Sequence, residues 1–347
     1  MTIRFATEQE IAHWNEHILA NPDGGNIFQG AEFADQKALA GWKTRYIIAK
    51  PYAITILEKT IVGFGKVWYA PKGPATTSDK ELIDLLPSLK HFARSHGVFT
   101  IKIEPEILLS DDANSLLSHQ GLLSTRPIQP NFATVLMDLS PDLDTILTAM
   151  PQKGRHAIKR AERDGVTAEA VPATDENCQI MYDLYRETAL AAGFGYRSAE
   201  YYRTYYQRYA AAGIGQLFFA YVDSKIVAGA YALAFGEKGT YKDGASLRQR
   251  TTYGSSHLLQ WRVIEWLKQK GVTLHDLCGA PPADQLKNPE HPHYGLARFK
   301  LNFSKQHVEY VGAYEIPVRP LRAKLWSKIV EKAVRRLYYK LYKESYY

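Results

Sequence analysis

Two kinds of hydrophobic spacing alternate along this 347-residue chain. Short runs of β-branched and aromatic residues bounded by glycine read as strands. Segments whose apolar residues recur every three or four positions read as helices. In the first half the turn Ile61-Val62-Gly63-Phe64-Gly65 leads into a predicted strand over 66–69. A helix is predicted over 81–96, stopped by Gly97, with another strand over 99–103. In the second half Ile226-Val227-Ala228-Gly229 leads into a strand over 230–233, a helix over 257–270, Gly271 and a strand over 273–277. One order met twice at this distance is no solenoid period. It points to a duplicated domain, with the functional site expected in the cleft between the copies.

The segments around the repeat complete the picture. Helices are predicted over 7–19 and 31–40, separated by the turn Asn21-Pro22-Asp23-Gly24-Gly25 and followed by a strand over 45–49. Strands and helices alternate in both halves, so each is an α/β (or α+β) unit around a mixed sheet. Residues 138–142, with Pro141, mark the first boundary. A helix then runs over 144–164, stopped by Gly165, and carries Arg155, Lys159 and Arg163 on one face. That face reads as solvated rather than phosphate-binding. The expected division is a first domain over 1–145, a second over 146–316, and a C-terminal segment over 317–347 that returns to the first.

Composition narrows the class. The length suits two domains, and 46% hydrophobic residues is ordinary for a globular protein. No apolar run approaches the ~18 residues a bilayer requires. The start, Met1-Thr2-Ile3-Arg4-Phe5, has no signal-peptide pattern. The two cysteines, Cys178 and Cys278, fit a reducing cytoplasm. The net charge of +7 sits wholly in the last 31 residues, which hold nine Lys/Arg against two Glu. Leu325, Ile329, Val330, Val334, Leu337 and Leu341 recur there at helical spacing, so the segment reads as a basic amphipathic helix. Tyr338, Tyr339, Tyr342, Tyr346 and Tyr347 follow, apolar bodies with polar tips. Three uses stay open: packing on the body, contact with anionic lipid at the inner membrane leaflet, or contact with RNA phosphate.

Several chemistries can be set aside. No Walker lysine loop, dinucleotide glycine motif or G-x-S-x-G elbow occurs. His275, Cys278, His291 and His293 match no zinc spacing, so no metal is expected. The strand and helix order resembles N-acetyltransferase domains, which bind coenzyme A pyrophosphate on a glycine-bearing loop at a helix N-terminus. Here that loop reads Arg248-Gln249-Arg250-Thr251-Thr252-Tyr253-Gly254-Ser255-Ser256, with its glycines missing or displaced, and coenzyme A is disfavoured.

The remaining motifs come in a set order: Pro71-Lys72-Gly73-Pro74, Lys102-Ile103-Glu104-Pro105, the basic helix from Lys153, and Tyr196-Arg197-Ser198-Ala199-Glu200-Tyr201-Tyr202. Leu258-Leu259-Gln260-Trp261 and Tyr294-Gly295-Leu296-Ala297-Arg298-Phe299-Lys300-Leu301-Asn302-Phe303 follow. In that order they resemble the FemABX family of aminoacyl-tRNA-dependent transferases that build peptidoglycan cross-bridges, in its short type without a coiled-coil arm. The resemblance implies two tandem acetyltransferase-like (GNAT-like) domains in the cytoplasm. It implies a peptidoglycan precursor as acceptor (lipid II or UDP-MurNAc-pentapeptide), aminoacyl-tRNA as co-substrate and no other cofactor. By the same resemblance Lys300, on a rigid strand, stabilises the oxyanion and Phe299 shapes the site. Lys37, Arg197 and Tyr201 contact the diphosphate, His257 replaces a second tyrosine contact, and Glu104 stands where a proton acceptor or a structural carboxylate would serve. Cys278-Gly279 and Phe303-Ser304 depart from the family's Gly-Gly and Phe-Gly. The alternatives are an acyl-CoA-dependent N-acyltransferase of similar fold and a non-catalytic membrane-surface binding protein.

Overall fold

The computed structural model describes residues 1–129, 132–193, 195–247, 252–342 and 346. Arg248, Gln249, Arg250 and Thr251 of the candidate coenzyme A loop, and Lys343, Glu344 and Tyr347 of the tail, lie outside the described residues. The chain forms two compact units, residues 1–132 with 309–347, and residues 133–308. Its strands in order are β1 (Arg4–Phe5), β2 (Lys43–Ala49), β3 (Tyr52–Ile61), β4 (Gly65–Ala70), β5 (Val98–Ile103), β6 (Leu123–Thr125) and β7 (Ala133–Asp138). Then come β8 (Thr167–Val171), β9 (Gly215–Val222), β10 (Lys225–Phe235), β11 (Lys238–Ser246), β12 (Leu274–Asp276), β13 (Gln306–Glu309) and β14 (Ala313–Pro317).

Each unit holds a seven-stranded sheet, ordered β1-β2-β3-β4-β5-β14-β6 in the first and β13-β7-β12-β11-β10-β9-β8 in the second. Read from β1 and from β8 the two orders correspond strand for strand. In each, one parallel pair (β4 with β5, β11 with β12) is flanked by antiparallel ones. The duplication is therefore real, but its register differs from the sequence reading. The partner of residues 66–69 is β11, which has the same parallel neighbour, whereas 230–233 lies one strand earlier in β10.

The unit boundaries also differ from 145/146 and 316/317. Strand β7 pairs with β12, with Leu136 opposite Asp276, so the second unit begins at 133. Strand β14 pairs with both β5 and β6, so the first unit takes back 309–347. Backbone partners this far away in sequence leave no trace in local periodicity.

Helices follow their patterns more closely. Asp79–Ser95 is capped by Ser78, whose side chain accepts from the Glu81 amide, and buries Leu82, Leu85, Leu86, Leu89 and Ala93. Its counterpart in the second unit, Ser255–Gln269, buries Leu258, Leu259, Trp261, Val263, Ile264 and Leu267. The predicted 144–164 helix is two, Leu143–Ala149 and Gln152–Arg163. Pro151 holds Met150 in extended backbone, which breaks the run. The first predicted helix likewise divides at His13. The tail helix comprises Pro320–Leu325, a wider π turn Trp326–Val330, and Glu331–Tyr342. Trp326 anchors it in the first unit, its ring 5.7 Å from Phe99 and 6.3 Å from Phe64. Among the described residues no helix is long and apolar enough to cross a membrane.

Candidate functional site

In the second unit β11 and β12 pair over three residues only, ending at Thr240 opposite Asp276. The Leu277 amide then turns to the Val135 carbonyl, and the two strands part. The two residues just beyond β12, Cys278 and Gly279, receive Lys300, the last residue of the helix Tyr294–Lys300. Its placement on a helix corrects the expected strand. Tyr294, Ala297 and Leu301 recur at helical spacing through the motif, and the last turn of a helix suits a cation. The Lys300 side chain is only 5% exposed. Its ammonium donates to the Gly279 carbonyl at 2.8 Å and to the Cys278 carbonyl. Burial lowers its pKa, opposed by Cys278 and Asp276. An ammonium has three N–H donors. Two are fixed on carbonyls, which aims the group.

The carbonyls are presented by unusual backbone. Cys278 has φ +58°, a conformation that favours glycine. Its amide donates to Asp276 Oδ1 at 2.7 Å, which holds the turn. The cysteine that departs from the family's Gly-Gly thus keeps the glycine-like backbone.

The same unit holds a groove of about 400 Å³, lined by Val227, Tyr241, Gly244–Leu247, Thr252–His257, Gly295, Leu296 and Phe299. Phe299 and His257 form its aromatic wall, ring centroids 5.0 Å apart, with Phe303 5.6 Å from His257. His257 Nε2 is 3.1 Å from Asn302 Nδ2, which fixes the imidazole. Gly254 heads the helix Ser255–Gln269 at φ +88°. A Cβ there would stand 2.2 Å from the Ala157 carbonyl, so the close approach of the helix Gln152–Arg163 requires glycine. Arg155 of that helix donates to the Thr148 carbonyl, and Arg160 and Arg163 pair with Asp164.

Arg197 and Tyr201 come together as their spacing predicts. Ser198 caps the helix Ala199–Ala211, accepting from the Tyr201 amide, and the Arg197 guanidinium lies 5.4 Å from the Tyr201 ring. A third charge in this cluster escaped the sequence reading. In β11 the register shifts at one residue: Tyr231 faces Asp243 while Ala232 faces Tyr241, leaving Lys242 as the extra residue of a β-bulge. The bulge directs Lys242 and its neighbour Asp243 toward the same tyrosine helix. Lys242 Nζ is 5.3 Å from the Tyr205 ring and 3.2 Å from Asp243 Oδ1, and Asp243 accepts from Tyr206 Oη at 3.3 Å. Burial, the largest single influence, opposes its charge, but Asp243, joined by Tyr202 and Tyr201, raises the Lys242 pKa on balance. Tyr201 and Tyr205 are neighbours, centroids 6.5 Å apart, so Arg197 and Lys242 flank one aromatic face. The one trace in the sequence is a Lys-Asp pair inside a strand pattern that otherwise alternates.

Lys37 and Glu104 belong to the first unit. Lys37 lies in the last turn of the helix Ala31–Leu39, buried, with Nζ 5.3 Å from the Phe33 ring. Glu104 follows β5 and is buried. It accepts from Tyr69 Oη at 2.6 Å, from the Gln129 amide at 3.0 Å and from the Ile128 amide. Burial raises its pKa against these donors and Lys72. Three donors on one carboxyl assign Glu104 first to fixing the 128–129 segment.

Among the described residues no group of three metal-ligating side chains occurs. His275 is a core histidine bonded to Gln260 at 2.9 Å, its pKa pushed down to about 4 by burial.

Comparison with known proteins agrees with this anatomy. The FemAB family model matches residues 7–120, and an acetyltransferase (GNAT) domain model matches 152–291. The UDP-N-acetylmuramoylpentapeptide-lysine N(6)-alanyltransferase of Weissella viridescens is 28% identical, over 62% of this chain and 66% of that protein. The lipid II:glycine glycyltransferase of Staphylococcus aureus is 21% identical, over 86% of this chain and 89% of its own. The crystal structure of FemX superposes with a TM-score of 0.79 at 20% identity, covering 95% of this chain and all of that one, which establishes the shared fold.

Proposed function

We propose that this chain, a member of the FemABX family, is an aminoacyltransferase that extends the stem peptide of a peptidoglycan precursor in the cytoplasm. The relatives named above act on such acceptors, and we extend their chemistry to this chain. The donor is aminoacyl-tRNA. The acceptor's amine nitrogen attacks the ester carbonyl carbon, a C–N bond forms, the C–O bond to the tRNA ribose breaks, and the amine's proton passes to the ribose oxygen. The ester is already activated, so the enzyme's task is to orient the partners and stabilise the oxyanion.

Lys300 is the observation that carries this reading. Its ammonium is buried and aimed by the two carbonyls just beyond β12, and the residue before it, Phe299, belongs to the aromatic wall. A charge so fixed needs no reorganisation when negative charge develops beside it. Arg197, Tyr201 and Lys37 are proposed to hold the acceptor's diphosphate, and His257 to donate from the groove wall. No other cofactor is required by this chemistry.

The acetyltransferase (GNAT) domain match over 152–291 favours a second reading, an acyl-CoA-dependent N-acyltransferase. One assay separates the two. The chain is incubated with nucleotide- or lipid-linked precursor and either a set of charged tRNAs or acetyl-CoA, and the acceptor mass is read. Addition of an amino-acid mass from tRNA supports the first reading. An acetyl mass from acetyl-CoA replaces it with the second.

A further inference from the structure

The tail helix carries two apolar faces where packing requires one. Its inner face is buried in the first unit through Ala323, Trp326 and the base of Glu331, with Val330 and Val334 against the Trp326 cluster. On the outside stands a second row, Leu321, Leu325, Ile329, Ala333, Leu337 and Leu341, each four residues from the last and all exposed, Leu321 to 87% and Leu341 to 64%. Residues four apart adjoin on a helix surface, so the six form one continuous ridge. A parallel ridge lies one residue before it: Lys324, Lys328, Lys332, Arg336 and Lys340, all exposed. Arg319 and Arg322 extend the charge at the helix start.

We infer that this double ridge is a docking surface for an anionic phospholipid bilayer. The two ridges match what such a surface offers, an apolar layer for the leucines and, just above it, phosphates for the lysines. Nucleic acid uses only the charged ridge and leaves the apolar one in water. A protein partner of ordinary composition gives five regularly spaced cations nothing to pair with. The inner face keeps its own partners, so the helix docks without leaving the first unit. The inference concerns the surface alone and goes beyond the reaction proposed above.

Flotation of the full-length chain with vesicles tests it. The wild-type chain is expected to float with phosphatidylcholine–phosphatidylglycerol vesicles, to stay behind with phosphatidylcholine alone, and to release as salt rises. Each basic residue near an anionic surface contributes about fivefold to partitioning. The variant Lys324→Glu/Lys328→Glu/Lys332→Glu is therefore expected to bind at least about a hundredfold more weakly. The variant Leu325→Gln/Ile329→Gln/Leu337→Gln is expected to fall by a similar factor. Leu321→Gln, the most exposed position, gives a smaller loss with the unfolding midpoint unchanged in each case. The inference is overturned by no flotation of the wild-type chain, by full binding of the apolar variant, or by a dimer in solution that the apolar variant converts to monomer. Loss of tRNA binding by the basic variant with vesicle binding intact assigns the ridge to RNA and equally overturns it.

Discussion

Lys300 and Lys242 differ in how a sequence can reveal them. Lys300 stands out through the ordered motif around it, and the helical spacing of Tyr294, Ala297 and Leu301 marks its helix, whereas its carbonyl partners were not legible because Cys278 and Gly279 lie more than twenty positions earlier. Lys242 carries no motif, and a bulge, a property of strand pairing, alone turns it toward Tyr205. Arg197 and Tyr201 were legible because a cap and one helical turn relate them locally. Lys242→Met is expected to weaken precursor binding by about 1–3 kcal/mol, the range for losing one charged hydrogen-bonding partner, and to leave Asp243 buried without its cation. Calorimetric titration with the precursor, alongside a melting curve, measures both effects. Glu104→Gln keeps the shape but loses charged acceptance from three donors. It is expected to lower the unfolding midpoint while transfer per folded molecule changes little, and a large loss of turnover at unchanged stability would return Glu104 to catalysis.

At the level of elements, helices with one-sided apolar spacing were readable, and their ends were set by prolines and caps that local rules describe. Pro151 divides one predicted helix in this way. The tail's helical character was readable too, whereas its anchor was not, because Phe64 and Phe99 lie far away in sequence. Trp326→Ala is expected to cost about 3–5 kcal/mol in the stability of the first unit, the range for truncating a large core aromatic, read by chemical denaturation. A buried charge cluster ties the same elements together. Lys102 Nζ lies 3.0 Å from Glu331 Oε1 and 3.9 Å from Glu315 Oε1, and Thr100 Oγ1 donates to Glu315 at 3.2 Å. Burial, joined by Glu331 and opposed by Lys102, pushes the Glu315 carboxyl up to about 7. Because that value lies above the unfolded one, the native state holds the extra proton. The resulting stabilisation is fully present below the ordinary carboxylate range and lost as pH rises through about 7. Denaturation midpoints at pH 5.5 and 8 are expected to show the first unit weaker at the higher pH. Glu315→Gln should flatten the difference, and an unchanged slope in that variant would refute the assignment.

For the whole molecule, the duplication was legible as a repeated order of elements, but its register and boundaries were not. The strand that completes the first sheet between β5 and β6 arrives from residues 313–317, and β7 serves the second sheet. Pairing partners are global facts that periodicity does not encode. It follows that deleting residues 309–347 removes an interior strand of the first sheet. Hydrogen exchange is expected to show residues 98–103 unprotected in that truncation while β9–β11 stay protected.

The central claim is that a buried, aimed ammonium performs the transfer step without being needed to hold the acceptor. Single-turnover transfer from charged tRNA, measured beside precursor affinity for the wild-type chain and Lys300→Ala, addresses it most directly. The account predicts that the rate of transfer falls by about 10²–10³, as for loss of one preorganised oxyanion donor, with precursor affinity within about twofold. Wild-type transfer by the alanine variant, or a loss seen only in affinity, would contradict it.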